Sequence, residues 1–509
     1  MRNFKIFIFG MLAITSMLSS CYKDFDELNT NRIDPTSIEP EFILNRAIME
    51  SLPAGSTSGI LGYHLGIVQQ VITPFGSSLA GANFNIFVPG SAANTWNAIY
   101  PNVVKHTIDA LEKSKNDDRK SNVYNEARIW KAYAFMILTD DYGEVPYFEA
   151  GLGFLQEIFQ PVYDSQESIY MDILKELDEA TLALDDTKPT STIDILYAGD
   201  ILKWKRFGNS LMLRAAMRLI KVSPDVAETY VKKAVVGGLM QSNNDNAKLK
   251  HTSLYMNDIA NLLTAREKAN YYLAEPFVGY LKTNNDPRLR SIAVRHLGAT
   301  TGNQQFPPRT NSDPSIQIGM PMGYDDVTIK NTFSTYGVAS LYDFSQVSLS
   351  TVLQLTAPEY FVTFSQTQFL LAEAVIRGWA TGDPGALYIS GIRGHMEQMA
   401  EYNAKIEESE IQTYLVANPL LTATALEQIN TQYWVASFLN GWELFANFRR
   451  SGYPALTKNP YPGSEITGDF IRRMPYPDRE LIVNSGNLNE AISRQGPDNL
   501  NTRVWWDKP

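Results

Sequence analysis

Apolar residues recur every three or four positions along much of this chain, and that spacing predicts helices. Ala127, Trp130, Ala134 and Leu138 mark one helix, stopped by Asp141-Tyr142-Gly143 and Pro146. Asp164 and Glu167 have the spacing of a capping box, and Ile173, Leu177, Ala180 and Leu184 follow on one face. Trp204, Gly208, Leu211, Ala215 and Leu219 form a third stripe. On that helix Arg214 and Arg218 lie one turn apart, in solvent or paired with acids. A fourth helix holds Phe369-Leu370-Leu371-Ala372-Glu373-Ala374 and closes at Arg377-Gly378-Trp379. The next opens with Asp383 as N-cap and Pro384 in the first turn. Small residues at Ala372, Ala374 and Ala386 allow neighbouring helices to approach. Helix, short turn and Ala-rich helix is the tetratricopeptide plan, without a clean period. Strand alternation is scarce, so the body is read as mainly α.

The pattern breaks between about 240 and 365 and again at 73–97. Asn-, Gly- and Pro-rich pieces interrupt short apolar runs there, as in Gln241-Ser242-Asn243-Asn244 and Thr73-Pro74-Phe75-Gly76. Long loops in compact proteins are commonly functional or disordered. These carry Phe75, Phe84, Phe87, Tyr324, Tyr336, Tyr342 and Phe344. So many rings predict ordered loops laid over a helical scaffold.

The first residues follow a different pattern. Arg2 and Lys5 precede an apolar run from Ile6 to Leu18, and Leu18-Ser19-Ser20-Cys21 ends it. Basic start, short apolar core and small residues spell a secretory signal, too short for a bilayer-spanning helix. Cys21 is the only cysteine of the 509 residues. It reads as a lipoprotein box, with a diacylglycerol on the thiol and cleavage before it. Residues 1–20 are then a signal peptide, and 21–35 an acidic, Pro-ended tether. Residues 36–509 are left as one large helical body, although the length would also allow about three domains of ~150 residues.

Charge narrows the partners. The formal charge of -11 becomes -13 once Arg2 and Lys5 leave with the signal. An acidic surface argues against nucleic acid and against electrostatic adhesion to anionic lipid.

Enzyme signatures are missing: no His-Glu-x-x-His, no Walker loop, no Gly-x-Ser-x-Gly elbow and no paired cysteines. Gly151-Leu152-Gly153 lacks the third glycine of a dinucleotide loop. His64, His106, His251, His296 and His395 stand far apart, which suits hydrogen bonding better than metal ligation, so neither metal nor cofactor is expected. Glycoside hydrolysis needs only two carboxylates flanking a bond. Asp140-Asp141 and Asp325-Asp326 are adjacent acids that point in different directions, and Glu373 suits a salt bridge between packed helices. A surface glycoside hydrolase is therefore the rival reading. The favoured chemistry is binding, since sugar rings lay C–H faces on aromatic rings while their hydroxyls bond to Asn, Gln, Asp or Arg. Phe84, Phe87, Trp96 (with Asn94 and Asn97 beside it), Tyr324 and Tyr342 are the candidate ligand residues, each equally at home in a core.

Several short segments, in order, resemble the SusD/RagB family of nutrient-binding outer-membrane lipoproteins. They are Cys21 with Asp24-Phe25-Asp26-Glu27-Leu28-Asn29, Trp96-Asn97-Ala98-Ile99-Tyr100, Asp141-Tyr142-Gly143-Glu144-Val145-Pro146 and Asn209-Ser210-Leu211-Met212-Leu213-Arg214. Asp286-Pro287-Arg288-Leu289, Phe369 to Ala374, Asn440-Gly441-Trp442-Glu443, Phe448 to Pro454, Arg472 to Pro477 and Val504-Trp505-Trp506-Asp507 continue the series. The resemblance implies a SusD-like fold with four tetratricopeptide-like pairs and long irregular loops. It implies an outer-membrane lipoprotein, facing the exterior, that captures an oligosaccharide or other nutrient. The partner would be a SusC-like TonB-dependent transporter, to which the ligand is handed. Acids close behind the acylated cysteine resemble the export signal of surface lipoproteins in the Bacteroidetes group. Cys21 alone carries over as a functional residue. A purely structural plug that binds nothing is the third alternative.

Overall fold

A computed structural model describes residues 38–52, 57–76 and 81–509. The signal peptide, Cys21 and the tether lie outside the described residues. The helices dominate: α1 (Pro40–Glu50), α2 (Lys105–Ser114), α3 (Ser121–Tyr142), α4 (Gln166–Ala183), α5 (Ile201–Arg218), α6 (Pro224–Gly237), α7 (Phe364–Ile376), α8 (Pro384–Gln398), α9 (Glu408–Ala417), α10 (Ala425–Ala436), α11 (Gly441–Ser451) and α12 (Ser485–Gln495). Short connections join α2 to α3, α5 to α6, α7 to α8 and α10 to α11, giving four helix–turn–helix pairs. Pro40–Pro509 form one compact unit. No helix among the described residues is long and apolar enough to cross a membrane.

Local chemistry explains the helix ends. α3 stops where Gly143 takes φ +81°, a conformation that only glycine adopts freely. α4 starts one residue later than its spacing suggested. Ser165 is the cap and accepts from Ser168 N–H, while Asp164 turns away to accept from the Tyr147 and Phe148 amides. At α8 the expected cap is present, with Asp383 accepting from Gly385 N–H and Pro384 in the first turn. The close approach of α7 and α8 rests on other small residues than expected. Ala372 and Ala374 are buried but Ala386 is exposed. The tight points are Gly391, where a Cβ would stand 2.7 Å from the Phe369 ring, and Gly394, 2.9 Å from Phe364.

Arg214 and Arg218 are both buried, so the solvent alternative falls and the acid pairing holds. Arg218 bridges Asp140 on α3 at 3.3 Å and Glu443 on α11 at 2.7 Å, and Arg214 reaches Glu443 at 3.4 Å. Arg214 also donates to the Phe361 carbonyl and to Gln366 at the start of α7. One turn of α5 thus ties together three other helices.

Where the helical pattern breaks, short strands and 3₁₀ turns are laid over the helices, as ordered loops. β1 (Val71–Ile72) pairs antiparallel with β3 (Tyr272–Leu273), and β2 (Ala247–Leu249) with β7 (Glu359–Val362). β4 (Ala293–His296) lies between β5 (Thr310–Asn311) and β6 (Gln346–Val347). These loops enclose a second, smaller apolar core of Ile72, Tyr272, Ala274, Met320, Ile329, Val338, Leu341 and Phe344.

Candidate functional site

The second core matters because of its rim. Phe75, Tyr324, Phe333, Tyr336 and Tyr342 pack on it while staying partly exposed. Distant segments fix these rings. Asn83 donates to the Thr73 carbonyl at 2.8 Å and the Tyr324 carbonyl at 3.1 Å, and accepts from Gly323 N–H at 2.9 Å. Asn459 in turn donates to the carbonyls of Ala82 and Asn83, both at 2.9 Å. Tyr336 meets Phe344 edge-on at 5.8 Å. Burial, then the nearby Glu275 carboxylate, push its phenol up to about 12, so it stays a neutral donor at any ordinary pH. The rim is a set of held, uncharged aromatic faces, an arrangement suited to neutral ligands.

The candidate residues do not gather in one place. Tyr324 and Tyr342 belong to this rim. Phe84 is close by in the chain segment clamped by Asn459, but is 3% exposed with its ring against Tyr461 at 4.8 Å. Phe87 is half-buried on the main core, its amide held by Glu465 at 2.7 Å. Trp96 sits elsewhere, 7% exposed in a nest of Tyr100, Tyr142, Tyr163 and Tyr476 at 4.5–6.0 Å. An edge of it lines an open cleft of about 780 Å³ shared with Tyr100, Arg479 and Glu480. Asn94 bonds to Ser58 and Asn97 is exposed. Phe333 was missed, although its three-residue spacing from Tyr336 places the two on one side of a helical turn.

A family model described as starch-binding and associating with the outer membrane, SusD-like, matches residues 32–477. Among solved structures, a chitin-binding protein is 31% identical, with 92% of this chain and 100% of that chain covered and a TM-score of 0.82. The Bacteroidetes AC2a SusD-like protein is 26% identical over 93% and 100% of the two chains, with a TM-score of 0.78. A chitin-binding SusD homolog from Flavobacterium johnsoniae is 25% identical over 92% and 98%, with a TM-score of 0.74. No curated protein matches. The chain belongs to the SusD-like family.

In this SusD-like protein four of the five carboxylates weighed for catalysis are engaged structurally, and the fifth, Asp326, is exposed. Asp140 accepts from Tyr170 at 2.5 Å, from the Trp506 indole at 3.0 Å and from Arg218. Burial raises its pKa against the pull of Arg218. Asp141 faces the other way and holds His64 at 2.9 Å. Glu373 takes both arms of Arg450, at 2.9 and 2.8 Å, and Arg377 at 2.7 Å. Asp325 closes a turn by accepting from Val327 N–H and from both Thr328 donors. The histidines are spread in the same way: His251 pairs with Glu359 at 2.8 Å and His395 lies against Arg288 at 3.1 Å. Among the described residues no group of three or more His, Asp, Glu or Cys side chains could hold a metal ion.

Proposed function

We propose that this protein is a lipid-anchored, surface-exposed glycan-binding lipoprotein, held at the outer membrane through Cys21, which passes its oligosaccharide to a SusC-like TonB-dependent transporter. The observation that carries the reading is the rim of Phe75, Tyr324, Phe333, Tyr336 and Tyr342 on a rigid second core. Neutral aromatic faces bind neutral sugar rings without cofactor or charge, and preorganised rings lose little entropy on binding. Membership of the SusD-like family and the chitin binding named for two relatives favour a glycan over a peptide. Catalysis has no such support, because Asp140, Asp141, Glu373 and Asp325 are tied into helix packing or a turn.

Titration calorimetry with N-acetylglucosamine and glucose oligosaccharides tests this. Removing one anchoring ring at the centre of a site costs about 2 kcal/mol, so Tyr336→Ala weakens binding roughly 30-fold. Wild-type affinity in Tyr336→Ala would move the site off the rim, and cleaved oligosaccharide after incubation would favour the hydrolase.

A further inference from the structure

Bare apolar side chains gather outside the second core and its rim, in two segments distant in sequence. In the first, 148–162, Phe148, Phe154 and Phe159 are exposed, Phe154 at 97% and Phe159 at 75%. In the second, Leu481, Ile482 and Val483 follow one another and are all exposed, Ile482 at 82%. Hydrogen bonds lay the two segments side by side. Gln160 donates to the Val483 carbonyl at 3.0 Å, Asn484 to that of Pro161 at 2.8 Å, and Asn487 to that of Gln160 at 2.9 Å. Tyr163 donates to Glu480 at 2.8 Å. Within the first segment Val162 N–H donates to Glu149 at 2.8 Å and draws the two ends together. The Phe159 ring comes within 3.6 Å of where a Cβ on Gly153 would stand, next to Phe154. A loop free to fold back would bury its phenylalanines, and these bonds hold them out.

The patch is large. At ~200 Å² for a whole aromatic side chain, the three phenylalanines alone show roughly 450 Å². With the aliphatic trio the patch exceeds the ~300–600 Å² of the largest patch on a typical monomer and approaches the ~800 Å² that each side gives to a standard interface. It also runs into the open cleft beside Trp96, since Val483, Arg479 and Glu480 line that cleft. Charge decides what covers it. Segments 148–162 and 478–483 hold four carboxylates, Glu149, Glu157, Asp478 and Glu480, against one base, Arg479. Such a rim repels an anionic lipid surface, and a second copy would set acid against acid. A protein surface that is apolar at its centre and bordered by lysine or arginine matches both features.

We infer that this patch is the face on which the SusC-like transporter docks, through a surface of its own that is apolar and basic at the edge. The choice of that partner rests on the reading above, while the place and the chemistry of the contact rest on the patch. Phe154, Phe159 and Ile482 are the anchors, because they are the barest and so have most apolar surface to bury. The adjoining cleft takes a side chain of the partner, and the carboxylates at the rim pair with its bases.

Affinity-tagged full-length protein, extracted from its own cells in mild detergent, tests this by the amount of transporter it retains. Phe154→Asp and Ile482→Asp each lose about tenfold of it. Glu157→Lys, which reverses a rim charge, loses about threefold. Leu254→Asp, a change at an equally bare position on the 252–255 turn, loses none. Oligosaccharide affinity, read by calorimetry, stays at the wild-type value in all of these, since surface changes leave the fold intact. Wild-type retention in both Phe154→Asp and Ile482→Asp would overturn the docking face and leave the transporter as partner. A wild-type protein that retains no transporter would overturn both. Self-association in ultracentrifugation that Phe154→Asp abolishes would give the patch to a second copy instead. Flotation of the unacylated Cys21→Ala chain with phosphatidylethanolamine–phosphatidylglycerol vesicles, abolished by the same change, would give it to lipid.

Discussion

Glu373 is fully enclosed between Arg450 and Arg377, and its carboxyl is held at about 2, against an ordinary 4.5. Burial alone would raise it, and the two guanidiniums more than offset that. Folding therefore gains from this group above pH 4.5, where it is ionised in both states, and the gain disappears as pH falls through about 2. Glu373→Gln leaves Arg450 buried without its counter-charge, a loss of about 3–5 kcal/mol at neutral pH. Urea midpoints of wild type and variant differ accordingly at pH 7 and converge between pH 4.5 and pH 2. A constant difference over that range would show that the pair is not what Glu373 contributes. The helical, salt-bridging place of Glu373 was legible in the sequence because its neighbours are all apolar. Which aromatic residues face outward was not. Trp96, flanked by two asparagines, looks as suitable as Tyr324, yet its ring is spent on four tyrosines. Three of those four lie 46 or more positions away, among them Tyr142, whose hydroxyl accepts from the Trp96 amide.

Helices announced themselves through spacing and caps, and Asp383-Pro384 marked the start of α8 correctly because the signal is local. Packing between helices is not local. Ala386 satisfied the rule for small residues but points to solvent, whereas Gly391 meets the Phe369 ring. Spacing within one helix cannot say which of its faces a neighbour will take. Gly391→Ala forces a methyl against a ring 2.7 Å away and costs about 1–3 kcal/mol. Ala386→Ser stays within about 0.5 kcal/mol. Denaturant titrations of the two variants, compared at equal m-value, check the contrast. Equal loss at both positions would mean that α7 and α8 do not meet through Gly391. The strands were invisible for a related reason: elements of two to four residues are too short to show alternation, and β1 and β3 find each other across about 200 positions.

Seen whole, the molecule divides its work between a large helical core, crossed by buried ion pairs, and a smaller core that carries the loops. The helical part is dictated by periodicity, and five of its helices, α3, α4, α5, α7 and α8, are read from the sequence. The loop part has no period, and its rings are positioned by side chains such as Asn83 and Asn459, which bond to backbone far away. A ligand-binding surface built this way can change its rings without disturbing the scaffold, because the second core is separate from the first. On the proposed function this surface works outside the cell and needs something to hold it there; among the described residues no helix is long and apolar enough to cross a membrane. The anchor proposed for it is the acylated Cys21. A single acyl chain gives marginal, reversible attachment, while several chains at about 0.8 kcal/mol per buried methylene are stable. Cys21→Ala removes all of them at once, so the variant moves from the membrane fraction to the soluble one with its glycan affinity intact. On intact cells the wild-type chain is cut by added protease. A Cys21→Ala protein that stays in the membrane would transfer the attachment to some other part of the chain, and a wild-type chain shielded until cells are broken would place the binding rim on the inner side.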